Sequence, residues 1–131
     1  MTRRPDARSE RGQTMVEFAL VAPLLLVIVF AVIQFGILYN NYVTITDAAR
    51  TGARKGAVSR LAPSPTGAAV AAARASAPGL DQAKLTVAVT ATSWEHGGDL
   101  TVTTRYPYKI NLLGWVVRSG SLTSATTERV E

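Results

Sequence analysis

The sequence has no cysteine and one histidine, His96, among its 131 residues. The first absence excludes disulfides, thiol catalysis and any Cys-based metal site, and it leaves the compartment open, since a fold outside the cytoplasm can do without disulfides. The second leaves one imidazole for acid–base work or metal binding. It lies in Glu95-His96-Gly97-Gly98-Asp99, a run read as a solvated hairpin tip. No Ser/His/Asp set is available except through that residue, and Gly97-Gly98 is not followed by the Lys-Ser/Thr helix of a phosphate loop. The chain is therefore read as having no catalytic residues, no metal and no cofactor. Aromatics are also few, at 7%. Trp94, Tyr106, Tyr108 and Trp115 are candidates for a recognition patch, although core and membrane-interface roles are the commoner use of such residues.

Charge is sparse as well, at 18% of residues with a net of +5. Eight of the 14 Lys and Arg residues form two blocks, Arg3/Arg4/Arg8/Arg11 and Arg50/Arg54/Lys55/Arg60, one on each side of an apolar run. Bracketing of this kind reads as membrane topology and lipid-headgroup contact. No aromatic-rich basic surface accompanies it, so nucleic acid is not an expected partner.

What the chain does have is a long greasy stretch. Residues 18–33 include no charged or strongly polar side chain, and extension to Tyr39 gives 22 residues. About 20 suffice for a helix to cross about 30 Å of hydrocarbon. Pro23 falls in the first turns, where lipid tolerates it. A cleaved secretory signal has an apolar core of only about 7–15 residues followed by small residues, whereas Phe35, Ile37, Leu38 and Tyr39 follow here. The Arg-rich residues 1–11 behave as a cytoplasmic n-region, because Arg11 is close to the apolar edge while Asp47 precedes Arg50 beyond the other. The N terminus is thus expected in the cytoplasm and the remainder outside it.

Beyond the span, "NNYVTITDAARTGARKGAVSR" meets no breaker until Pro63, which predicts one helix of about 45 residues and about 65 Å. Small residues recur four apart at Ala48, Gly52, Gly56 and at Ala49, Ala53, Ala57. Such a ridge admits a closely packed neighbour, either another subunit or the chain's own globular part; a plain alanine-rich helix is the other reading. "LAPSPTG" (61–67) reads as a linker, with Thr66 capping a short helix that Pro78-Gly79 stops. Three strands are expected at 84–94, 100–110 and 121–131, with Pro107 at an edge or strand end and "LLGWVV" (112–117) as an apolar loop or single turn. The fold class is α+β: a long transmembrane helix extended outside the membrane, then a small antiparallel three-stranded sheet with a short helix. The divisions are a basic leader (1–12), the transmembrane and juxtamembrane helix (13–60), a linker with the short helix (61–83) and the β domain (84–131). Outside the greasy stretch the chain can bury only a thin core.

One motif stands at the mouth of that stretch. A short basic leader ends in Gly12, and Gln13-Thr14-Met15-Val16-Glu17-Phe18 places a carboxylate fifth after it, directly before the hydrophobic helix. With "VEFALVAPLLL" (16–26) and "TDAARTGARKGAV" (46–58), this resembles the TadE-like family, pilin-like (pseudopilin) components of the tight-adherence, Flp-pilus apparatus. The resemblance is most specific over residues 12–58. It implies a prepilin-peptidase site with Gly12 before the cut and Gln13 as the new N terminus. It also implies that Glu17, followed by Phe18, is the acidic pilin position that pairs with the terminal ammonium of a neighbouring subunit. A carboxylate beside hydrocarbon is costly unless paired or able to reach the interface. The alternative is a solvated Glu17 at headgroup level beside Arg8 or Arg11, where a first-turn carboxylate also suits the helix dipole. Members of the family differ in whether the leader is cut.

The function so implied is a minor pilin-like protein of the bacterial cytoplasmic membrane, acting in assembly or initiation of a tight-adherence pilus. Its implied partners are membrane lipid, other pilin-like subunits, the pilus assembly platform and a prepilin peptidase. The alternative is a membrane-anchored extracytoplasmic binding or sensory module that never enters a filament.

Overall fold

In the computed structural model, residues 7–131 are described, with side chains from residue 12 onward. The start of the basic leader, and the side chains of Arg3, Arg4, Arg8 and Arg11, lie outside the described residues.

Helix α1 (Ala7–Ala57) is a single element of 51 residues, about 77 Å at 1.5 Å per residue. It incorporates Pro23 without ending. Thr44 and Thr46 donate their hydroxyls back to the carbonyls of Asn40 (2.9 Å) and Tyr42 (2.8 Å), so these polar side chains are satisfied within the helix. The helix stops six residues before Pro63, earlier than the sequence predicts. Its last carbonyls find partners other than a continuing helix: Ser59 N–H reaches Gly56 O (3.0 Å), Ser59 Oγ reaches Lys55 O (2.6 Å), and Glu131 N–H reaches Ala57 O (3.1 Å).

Helix α2 (Pro65–Ala75) begins two residues earlier than expected, and its N-cap is Ser64 rather than Thr66. Pro65 occupies the first helical position, where its fixed φ and missing N–H fit, so the cap falls to the residue before it. Ser64 Oγ accepts from Gly67 N–H at 3.1 Å.

The strands β1 (Thr86–Ala91), β2 (Asp99–Leu112) and β3 (Trp115–Arg129) form an antiparallel meander in the order β1-β2-β3. Val87, Val89 and Ala91 alternate inward on β1, as do Leu100, Val102, Thr104 and Tyr106 on β2. One expectation is corrected. The segment 112–117 is neither a loop nor a helical turn: Leu112 pairs with Trp115 across Leu113-Gly114, and β3 starts at Trp115 instead of residue 121. Leu113 (φ 50) and Gly114 (φ 89) both have positive φ, the requirement of a two-residue type I′ hairpin whose twist matches its strands. Of the two places expected for Pro107, an edge or a strand end, it occupies the first: it lies inside β2, where that strand is an edge on one side. The edge arises because β1 pairs with β2 only as far as Thr86↔Arg105, leaving β2 open on that side from there on.

Both helices pack on one face of the sheet. The core has few large side chains, namely Ile45, Leu80, Leu85, Leu100, Val102 and Val130, among buried alanines. Thr104 is fully buried; its hydroxyl donates to Ile45 O of α1 at 2.7 Å, with Ser124 O at 3.3 Å. Tyr106 ties the linker to the sheet by accepting from Asp81 N–H at 3.3 Å.

Candidate assembly site on the long helix

The N-terminal half of α1 has almost no cover from the rest of the chain. Its most apolar window has none of its residues buried inside the molecule. Phe18, Leu20, Val32 and Phe35 are each about two-thirds or more exposed. A solvent-exposed strip of this size would be untenable in water. It is the surface of a helix whose surroundings are lipid, since a bilayer-spanning helix needs this length and apolarity and satisfies its backbone internally.

Gly12, Gln13, Glu17 and Phe18 lie on the first turns of this segment, all exposed. The helix runs straight through Gly12, and a Cβ built there would meet nothing within 4 Å. Gln13 and Glu17 are one turn apart, and the Gln13 amide donates to Glu17 Oε1 at 3.2 Å. The carboxylate therefore faces back along the helix toward residue 13, at the depth where the charged leader gives way to hydrocarbon.

The small-residue ridge sits at the other end of α1. Ala48, Ala49, Gly52, Ala53 and Gly56 are all buried, and what buries them is the chain's own domain. A Cβ on Gly52 would lie 2.9 Å from Ala73 Cβ, 3.0 Å from Ala69 O and 3.3 Å from Val102 Cγ1. One on Gly56 would run into Leu100 Cδ2 and lie 3.0 Å from Ala69 Cβ. The glycines let α2 and β2 approach the α1 backbone. The face that the ridge presents is thus occupied from within.

The remaining candidates are dispersed. Trp94 packs against Ala57, Leu100 and Val130; Tyr106 joins the cluster around Ile45; Tyr108 lies beside Ile37 and Leu38; and Trp115 is 81% exposed at the hairpin tip. These four aromatics make no common patch. In the 95–99 turn, Gly97 N–H donates to Val130 O at 2.8 Å, and the Asp99 carboxylate faces Arg129 at 3.9 Å. Among the described residues no group of three or more His, Asp or Glu side chains could hold a metal ion. An open groove of about 640 Å³ runs between α1 and the end of β3, lined among others by Arg50, Arg54, Glu128 and Arg129. Sequence reading gave no sign of this groove, because its walls, which include Val58 and Thr126, come from opposite ends of the α+β domain's sequence.

These features define a single-pass membrane-anchored protein: an uncovered apolar helix carrying a small α+β domain at one end and the Glu17 carboxylate near the other. Residues 12–54 match the family model of TadE-like proteins. The match begins at Gly12, takes in Glu17 and the span, ends inside the buried ridge, and covers residues 12–54 of the 131 in the chain. No curated protein and no solved structure matches the chain significantly.

Proposed function

We propose that this chain is a minor pilin-like membrane protein acting in the assembly or initiation of a tight-adherence (Flp, type IVb-like) pilus. The observation that carries the reading is the TadE-like match over a helix that is uncovered and apolar and bears Glu17 at the head of its apolar run. In this reading the protein sits in the bacterial cytoplasmic membrane, with residues 1–12 cytoplasmic and the α+β domain outside. A prepilin peptidase cuts after Gly12 and frees the ammonium of Gln13. Glu17 of one subunit then pairs with that ammonium on a neighbour. Near hydrocarbon such a charge-assisted bond is stronger than in water, and it disfavours registers that leave either group alone. The Gln13–Glu17 contact supports this, since it shows that a donor near residue 13 can reach the carboxylate. Lateral packing between subunits uses the uncovered turns of α1 and Phe18, not the glycine ridge, which the domain already fills. No step requires catalysis by this chain.

The test is incorporation of Glu17→Ala and Glu17→Gln into pili of the native host, read by immunoblot of sheared filaments against membranes. Both variants should reach the membrane at normal levels and be depleted from filaments. Incorporation at the wild-type level would sink the role given to Glu17 and favour an anchored module outside the filament.

A further inference from the structure

The β2–β3 hairpin and α1 advance along each other toward the membrane. At the far end Leu100 packs against Gly56. Further on, residues 107–110 share a narrow groove with Gln34, Ile37, Leu38 and Asn41. From Leu100 to Tyr108 the strand covers about 26 Å at about 3.3 Å per residue. From Gly56 back to Leu38 the helix covers about 27 Å at about 1.5 Å per residue. Equal advance means that β2 runs alongside α1, antiparallel to it. Gln34, Leu38 and Asn41 are half-buried at i, i+4 and i+7 and continue the face that holds Ile45 and Ala48.

The hairpin continues past this point. Ile110 already stands at the level of the last apolar turn of the span, and Leu113 lies about 10 Å further along the strand. That depth is about two turns of α1 inside the apolar segment. Beyond α1 and the nearby Val58 and Leu61, the exposed large hydrophobics among the described residues are Leu113 (63%), Trp115 (81%), Val116 (60%) and Val117 (65%). All four lie at this tip. Immediately behind it, Ile110 pairs with Arg118, and Lys109 with Ser119, so cations stand one step up the ladder. The turn itself places Leu113 at φ 50, a conformation that glycine or asparagine adopts more readily; the tip is apolar where the backbone favours a polar or absent side chain.

We propose that the tip of the β2–β3 hairpin inserts into the leaflet of the bilayer on the side of the α+β domain, with Trp115 near the interface and Lys109 and Arg118 at the lipid phosphates. Tryptophan is suited to the boundary between headgroup and hydrocarbon, and Lys and Arg extend to the phosphates from apolar surroundings. The domain then has two membrane contacts, α1 and the hairpin, which together fix its orientation on the bilayer. This rests on α1 spanning that bilayer. It also explains why Gln34, a polar residue within the span, lies on the face covered by the hairpin and not on the lipid side.

The chain holds two tryptophans, Trp115 at the tip and Trp94 in the cluster at the opposite end of the domain. The full chain is reconstituted in phosphatidylcholine/phosphatidylglycerol vesicles with and without phosphatidylcholine brominated on its acyl chains. Trp94→Phe leaves Trp115 as the reporter, and Trp115→Phe leaves Trp94. A Trp94→Phe/Trp115→Phe/Phe35→Trp variant reports on α1. The expected result is loss of Trp115 emission as large as that of the Phe35→Trp reporter, with Trp94 unaffected. Should Trp94→Phe not fold, the wild type compared with Trp115→Phe gives the same reading. An unquenched Trp115 beside a quenched Phe35→Trp reporter overturns insertion and leaves the tip to water or another chain. Equal quenching of Trp94 overturns it too, because the domain would then lie flat on lipid. If the Phe35→Trp reporter is itself unquenched, the span reading falls together with the proposal.

Discussion

Replacing Gly52 by alanine sets two effects of known sign against each other. In an exposed helix, Gly→Ala stabilises by about 1 kcal/mol. At Gly52 the added methyl meets Ala73 Cβ at 2.9 Å and Ala69 O at 3.0 Å. The first can retreat only with α2 as a whole, and the second is backbone. Val102 Cγ1 at 3.3 Å closes the third side, so the methyl has no soft direction. Overpacking of this kind costs about 1–3 kcal/mol, and because two of the three neighbours belong to one helix the upper part of the range applies. The net expectation is a destabilisation of about 1–2 kcal/mol, and more for Gly52→Val. For a domain of this size that is a fall in Tm of about 4–8 °C per kcal/mol. The assay is thermal unfolding of the full chain in detergent micelles, followed by the emission of Trp94. Gly36→Ala is the control, since nothing lies within 4 Å of a Cβ there; it should not lower Tm. A rise in Tm for Gly52→Ala equal to the helix-propensity gain would refute the packing argument and return the ridge to partners outside the chain.

Two further outcomes follow from the same geometry. Thr104→Val keeps the shape but removes the buried hydroxyl that donates to Ile45 O at 2.7 Å; because that carbonyl retains its helical partner, the loss should be about 0.5–1.5 kcal/mol by chemical denaturation, and an unchanged midpoint would contradict it. The Asp81 carboxyl is held below its ordinary value by the hydrogen bond from Lys84, and then by the Ala83 N–H. The depressed value means that its contribution to stability is present above the unfolded-state value and is lost as pH falls through the folded one; NMR titration of Lys84→Met should move the Asp81 midpoint upward, and no movement would remove Lys84 as the cause.

Local physics was enough to make much of this fold readable. The length and apolarity of the span, the alternation of Leu85, Val87, Val89 and of Leu100, Val102, Thr104, and the Gly97-Gly98 turn each depend on neighbours in sequence. The misses share a different origin. Leu113-Gly114 carries no Asn-Gly or Asp-Gly signal, so the strand beyond it looked like an apolar loop. One carbonyl at the end of α1, Ala57 O, is taken by Glu131 from 74 residues away, and the choice between an edge and a strand end for Pro107 is made by where β1 stops. The small-residue ridge was visible at Ala48, Gly52 and Gly56, but which of its two expected occupants, another subunit or the chain's own globular part, fills it was not. Spacing says that something comes close, and only the meander brings Ala69, Ala73 and Leu100 to those positions. The exposed apolar tip was hidden for the same reason, since its depth relative to α1 is a property of two elements far apart in the chain.

The account turns on what happens at Gly12, because pairing at Glu17 needs a free ammonium at Gln13. The direct measurement is the intact mass of the protein purified from membranes of its native host, beside a Gly12→Ala variant. A wild-type mass lacking residues 1–12, with the variant at full length, is the predicted result. Full-length mass in both would contradict the pilin-like mechanism and leave an anchored domain whose Glu17 has no ammonium to meet.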